Sequence, residues 1–272
     1  MQVAAALALA RAQGVDRLDA QLLLARRLGR PRSWLIAHDD AELPAAVEQA
    51  YRQDLAQRAA GVPLAYLVGE REFHGLPFVV TPAVLVPRPD TELLVDWALE
   101  LMAGQVQPHV LDLGTGSGAI AVSIAHARPD AVVTATDIDA GALAVAQRNA
   151  QANGTRIEWL CGSWWRGLAG RRFELVLANP PYIAGDDAHL TALAHEPRHA
   201  LTPGGDGLDA LRVIVAGAPA HLMPGGRLLV EHGYDQGPAV RAQLSAAGFE
   251  AVATRQDLAG HDRCSGGRWS AG

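Results

Sequence analysis

HVLDLGTGSGAIAVSIAHARPDAVVTATD, residues 109–137, reads as an apolar strand, a glycine-rich turn, a helix and a second apolar strand. The turn is Gly114-Thr115-Gly116-Ser117-Gly118. Glycines at a strand-to-helix turn let the backbone approach a ligand, and the helix behind them aims its free N-terminal amides at it. A nucleotide-like cofactor is implied, although with Ala119 the run also satisfies the relaxed G-x-G-x-x-A pattern of dinucleotide binders. Asp137 closes the second strand, 19 residues after Gly118. A carboxylate there accepts hydrogen bonds from both hydroxyls of a ribose, whereas Asp139 is better placed to cap the next helix.

Outward from this unit the alternation continues. Further strands are expected at 156–160, 173–178, 227–233, 249–254 and 263–269, in addition to 109–113 and 131–137. Seven strands with intervening helices predict an α/β, doubly wound, Rossmann-like, mostly parallel sheet. Residues 1–68 carry helical periodicity instead. In DRLDAQLLLARRLG (16–29), Asp16 caps, Leu18, Leu22, Leu23 and Leu28 are expected on the core face, and Gly29 stops the helix. Pro44 is expected in the first turn of a second long helix that Gly61 ends. With eight acidic and eight basic side chains up to residue 70, this neutral segment reads as a docking module. REFHGLPFVV suits a short hairpin about Gly75, and Pro87 and Pro89 hold off helix until Asp90 or Thr91 can cap one. The expected domains are therefore 1–68 helical, 69–88 hairpin and linker, and 89–272 cofactor-binding.

Composition excludes more than it assigns. The 272 residues are 49% hydrophobic and 19% charged, with a net charge of −6, the profile of a globular protein without a global positive field for nucleic acid. Every one of the 23 basic residues is Arg, so Schiff-base chemistry and a Walker A lysine are excluded. Cys161 and Cys264 have no C-x-x-C spacing, and His74, Glu196, Glu231 and His232 fall in no metal-ligand pattern, so no metal is expected. The first residues, MQVAAALALARAQG, read as a helix rather than a leader, and a cytoplasmic protein is expected.

Asn179-Pro180-Pro181-Tyr182 follows the strand FELVLA directly. Two prolines remove two N–H donors and fix the backbone, leaving carbonyl acceptors at the ligand-binding edge of a parallel sheet. That strip suits a planar NH₂ group: Asn179 and the Pro180 carbonyl accept its two N–H bonds, and Tyr182 stacks on its face.

With DLGTGSG, Asp137 and NPPY together, the chain resembles class I S-adenosylmethionine-dependent methyltransferases acting on an amide or amino nitrogen. The runs PLAYLVGEREFHGLPF (63–78), VPRPDTELLVDWAL (86–99), NPPYI (179–183), HLTALAHEPRHALTPGGDGLDALR (189–212) and LLVEHGYDQG (228–237) are similar to the release factor glutamine methyltransferases. The resemblance covers nearly the whole chain. It implies S-adenosyl-L-methionine as cofactor, held by Gly114 to Gly118, by Asp137 and Asn179, and by Trp164 beside the adenine. It implies Asn179, Pro180, Pro181 and Tyr182 as the glutamine-binding strip, with Asn179, Pro180 and Tyr182 catalytic. The family's acidic residue before the tryptophan is Ser163 here, an uncharged acceptor. The implied partner is a peptide chain release factor, methylated on the glutamine of its Gly-Gly-Gln motif by a monomer with no membrane association or stable nucleic-acid binding. The alternative is an adenine N6-methyltransferase acting on DNA or RNA, whose exocyclic amine presents the same donors; the acidic charge stands against it.

Overall fold

A computed structural model describes residues 1–270 in two compact units, Met1–Glu70 and Arg71 onward. The first unit holds α1 (Val3–Ala12), α2 (Arg17–Leu28), α3 (Arg32–Ala37), α4 (Ala45–Ala59) and α5 (Leu64–Val68). Asp16 caps α2 by accepting from the Leu18 amide at 2.7 Å, and Gly29 ends it in the left-handed region at φ 61°. The buried face of α2 differs from the expected one. Ala20, Leu23 and Leu24 pack on Tyr51 and Leu55 of α4, while Leu18 is 45% exposed and Leu22 and Leu28 are half-buried. At 3.6 residues per turn Leu18 lies about 200° round the helix from Ala20, so the two cannot share a face. Arg27 clasps the buried Asp54 with two hydrogen bonds of 2.6 Å, tying α2 to α4. Pro44 stands one place earlier than expected, at the N-cap of α4.

The second unit opens with a hairpin, β1 (Glu70–Phe73) and β2 (Leu76–Val79), followed by α6 (Glu92–Leu101). His74 and Gly75 have φ of 51° and 76°, as a tight two-residue hairpin turn requires. The hairpin, expected as part of a linker, is bound into the second unit. Phe73 and Phe78 meet edge to face at 5.9 Å inside its core, and Asn149 bonds both the N–H and the C=O of Val79.

The remaining elements are β3 (His109–Leu113), α7 (Ala119–Ala127), β4 (Val132–Asp137), α8 (Ala140–Ala152), β5 (Glu158–Cys161), β6 (Phe173–Ala178), α9 (His189–Ala192), α10 (Asp209–His221), β7 (Leu222–Glu231), α11 (Gly237–Ala246), β8 (Phe249–Gln256) and β9 (Asp262–Trp269). The seven-stranded sheet runs β5-β4-β3-β6-β7-β9-β8. All pairings are parallel except those of β9, which lies antiparallel between β7 and β8. One apolar cluster, with Val110, Ile120, Ile124 and Leu177, fills one face, and a second, with Leu111, Val176, Leu211 and Ile214, fills the other. Strand order reverses between β3 and β6, and the carboxyl ends of strands at such a reversal diverge to leave a crevice.

Candidate active site

The crevice at the ends of β3, β4 and β6 is a cavity of about 450 Å³. Gly114, Thr115, Gly116, Ser117, Asp137, Trp164, Asn179 and Pro181 line it, so most of the predicted site residues converge. Gly118, Pro180 and Tyr182 are not part of its wall. Gly118 serves the scaffold: at φ 83°, with a Cβ placed there only 3.1 Å from that of Ala146, it lets α7 start close against α8.

Backbone amides organise the cofactor side. Asp137 Oδ2 accepts from Gly116 N at 2.8 Å and Oδ1 from Asp139 N at 2.9 Å, which pins the carboxylate and leaves a lone pair on each oxygen. Asp139 caps α8, accepting from Gly141 N at 2.6 Å and Ala142 N at 3.3 Å. Below the turn Asp112 is fully buried, accepting from Thr115 Oγ1 at 2.6 Å and Ala121 N at 3.2 Å. Its Oδ1 has no partner; burial, helped by the charge of Asp137, raises the carboxyl to about 7.

The two tryptophans divide their work. Trp164 adopts φ 46°, a left-handed backbone that costs a bulky residue about 1–3 kcal/mol, and its ring comes within 3.4 Å of a Cβ placed on Gly114. Trp165 turns away, stacking on His221 at 4.7 Å and donating Nε1–H to the Val213 carbonyl at 3.2 Å. Ser163 lies in the cavity wall beside Trp164.

Asn179 Nδ2 donates to Thr91 Oγ1 at 3.0 Å, so Oδ1 is the end of the amide kept in reserve as an acceptor. Thr91 was expected, with Asp90, as a helix cap. Neither side chain caps α6, because a 3₁₀ turn over Pro89–Thr91 puts Thr91 in the right-handed helical region, where cap geometry is lost. Asp90 pairs instead with Arg263 at 3.2 Å. The Tyr182 hydroxyl donates to Glu231 Oε1 at 3.3 Å, and its carbonyl accepts from Gln236 Nε2 at 2.9 Å. Glu196, nearly buried, pairs with Arg88 and accepts from Val86 N at 3.1 Å, clasping the Pro-rich segment to the loop that carries His199 and Ala200 into the cavity wall.

Thr91, Glu231, Arg88 and Glu196 are thus parts of the site that motif spacing did not assign. The only signal for Thr91 and Glu231 was a polar residue beside an apolar run, and their partners lie 88 and 49 residues away in sequence. His232 is structural, bonded to Ser265 Oγ and the Gly233 carbonyl at 2.8 Å each; burial lowers its proton affinity. His74 sits in the hairpin turn against Asp96. Cys161 is exposed, Cys264 buried, and both are free thiols. Among the described residues no helix is long and apolar enough to cross a membrane.

Comparison with known proteins matches residues 90–208 to the Methyltransferase small domain and residues 2–69 to the PrmC N-terminal domain. Among solved structures, a methyltransferase from Pyrococcus furiosus aligns with a TM-score of 0.54 at 20% identity, over 72% of this chain and 90% of that one. A Thermus thermophilus 16S rRNA N2 G1207 methyltransferase, solved with AdoMet and guanosine, aligns with a TM-score of 0.56 at 22% identity, over 73% of this chain and 49% of that one. These two share the fold. A release factor glutamine methyltransferase of Bordetella pertussis is 54% identical over 93% of this chain and 95% of its own length. One from Burkholderia pseudomallei is 53% identical over 97% and 96%. Full-length identity at this level, joined to the glycine turn and the Asn179 strip at one sheet edge, means that the chain belongs to the release factor glutamine methyltransferase family.

Proposed function

We propose that this chain transfers a methyl group from S-adenosyl-L-methionine to the side-chain nitrogen (N5) of the glutamine in the Gly-Gly-Gln motif of peptide chain release factors. The observation that carries this reading is Asn179, whose Nδ2 is engaged by Thr91 while the residue borders the cavity, so that a carbonyl acceptor is offered to an incoming NH₂ group. The cavity fits the cofactor: its volume of about 450 Å³ lies in the range of small-molecule sites, and a Cβ on Gly116 would meet nothing within 4 Å. When bound, S-adenosyl-L-methionine supplies a methyl group made electrophilic by a positively charged sulfur. Asp137 would accept from the ribose hydroxyls with its spare lone pairs, the Gly114 to Gly118 turn would leave room for the methionine end while its Gly114, Thr115, Gly116 and Gly118 amides stay bonded within the protein, and Trp164 and Ser163 would border the adenine. Asn179 Oδ1 and the Pro180 carbonyl would accept the two N–H bonds of the glutamine and orient its weakly nucleophilic nitrogen, with Pro181 in the cavity wall beside the planar amide.

The helical unit, matched by the PrmC N-terminal domain, docks the protein substrate. A net charge of −6 favours a protein over a nucleic-acid substrate, and the activity belongs in the cytoplasm with translation. Incubation with tritiated S-adenosylmethionine and release factor, duplex DNA or tRNA, followed by peptide mass spectrometry, tests the reading. Label on the Gly-Gly-Gln glutamine side chain is expected, with a preference for whole factor over a short peptide that deletion of residues 1–68 removes. Methylated adenine with an unmodified glutamine would overturn it.

A further inference from the structure

Asn179 and Thr91 line the cavity, the buried Glu231 carboxyl lies against Thr91, and Tyr182 bonds Glu231; the direction of the donors along these four side chains has a chemical consequence. Asn179 Nδ2 donates to Thr91 Oγ1 at 3.0 Å. Thr91 is 4% exposed and borders the Glu231 carboxyl, and because its oxygen accepts from Asn179 its own O–H proton is left to donate. Glu231 is 1% exposed, takes the Tyr182 hydroxyl on Oε1 at 3.3 Å, and has no partner on Oε2. An ionised carboxylate only accepts, so protons run from Asn179 to Thr91 to Glu231, and the amide can stand only with Nδ2 inward and Oδ1 outward.

We propose that Glu231 is a positioning residue that sets the polarity of the Asn179 amide, holding its carbonyl end towards the substrate. This inference rests on the acceptor role proposed for Asn179. Protonation of Glu231, or its replacement with Gln, removes the charge that holds the Thr91 O–H, so the hydroxyl becomes free to donate to Asn179 Oδ1 instead. The amide can then turn over, and Nδ2 meets the substrate NH₂ donor to donor.

The charges around Glu231 come from every neighbouring element. Asp90 and Arg263 form a 3.2 Å ion pair beside it, Tyr182 lies on the Asn-Pro-Pro-Tyr turn, Cys264 faces it across the β7–β9 ladder, and His232 follows it in the chain. Burial raises the Glu231 carboxyl to about 7, with Asp90 pushing the same way and Thr91, Tyr182 and Arg263 opposing. Glu231 therefore gains its charge, and the site its working polarity, as pH rises through neutrality.

The test combines catalysis with a readout that needs no substrate. Only three asparagines occur in the chain, so ¹⁵N-asparagine labelling, with Asn179→Asp for assignment, isolates the Asn179 side-chain NH₂ signal. In the wild type this signal is expected to titrate with a midpoint near 7, and in Glu231→Gln to be displaced and independent of pH. Turnover of release factor by the wild type is expected to rise with pH through the same midpoint. In Glu231→Gln, kcat is expected to fall about 10- to 100-fold and lose that rise, with KM for S-adenosylmethionine kept. Thr91→Val, which cuts the chain between the two groups, is expected to behave likewise. An Asn179 signal that ignores pH in the wild type, or titrates unchanged in Glu231→Gln, overturns the inference whatever the substrate is. Wild-type kcat with the wild-type pH profile in Glu231→Gln also overturns it. A wild type that titrates as expected yet leaves glutamine unmethylated supports the polarity switch and defeats the functional reading alone.

Discussion

In the role proposed for it, Asn179 meets a requirement that few residues could: it offers a carbonyl to a donor while its other end is occupied by protein. Thr91 satisfies that other end from 88 residues earlier in the chain. Replacing Asn179 with Ala removes that acceptor. For Asn179→Ala, kcat is expected to fall by about 10²-fold or more while S-adenosylmethionine affinity by calorimetry stays within about twofold, the signature of an interaction made chiefly in the transition state. Retention of a tenth or more of the turnover would remove Asn179 from its role. Trp164 shows the complementary economy, a ring held beside Gly114 by a left-handed backbone that surrounding packing must sustain.

Elements set these residues in place through close approaches that only glycine allows. Gly118 admits α8 against the start of α7, and on α10 Gly217 makes room for Trp165. A Cβ on Gly217 would fall 2.1 Å from Trp165 Nε1, inside the indole, which also stacks on His221 of the same helix. Gly217→Ala therefore has to displace the ring and break its bond to the Val213 carbonyl. The expected loss is about 1–3 kcal/mol in urea unfolding, the usual range for overpacking, even though alanine favours helix. An unchanged midpoint would mean that Trp165 is free to swing out at no cost.

At the scale of the whole molecule, the sheet encloses two carboxyls, Asp112 and Glu231, both raised to about 7 chiefly by burial. A carboxyl raised on folding binds its proton more tightly in the native state than in the unfolded chain. The stability it contributes is complete below its unfolded value near 4 and is lost as pH climbs to about 7. Asp112→Asn removes one such group while keeping an oxygen for Thr115 and Ala121. The advantage of the variant over the wild type is expected to grow by roughly 2–4 kcal/mol between pH 4.5 and pH 8, since each tenfold gain in proton affinity on folding is worth about 1.4 kcal/mol. Chemical denaturation at the two pH values measures it, and an equal gap at both would show that Asp112 stays ionised throughout. The same encasement lets the site hold a carboxyl that changes charge at neutrality.

The sequence by itself determined the α/β class, the glycine turn at the end of β3, the caps at Asp16 and Asp139 and the placing of Asn179 after β6, because each depends on neighbours a few residues apart: alternation within a strand, a side chain reaching its own helix amides, proline fixing its own φ. The start of β7 was less legible, since Leu222-Met223-Pro224-Gly225-Gly226 reads locally as a turn, yet the strand begins at Leu222 beside Phe173 of β6. Tertiary structure alone decided that β9 lies antiparallel between β7 and β8, that Ala20 rather than Leu18 faces the helical core, and that the hairpin belongs with the sheet. It alone brought Thr91 to Asn179 and Glu231 to Tyr182. Those outcomes rest on partners tens of residues away, chosen by which buried donor finds which acceptor, and no local pattern encodes that choice.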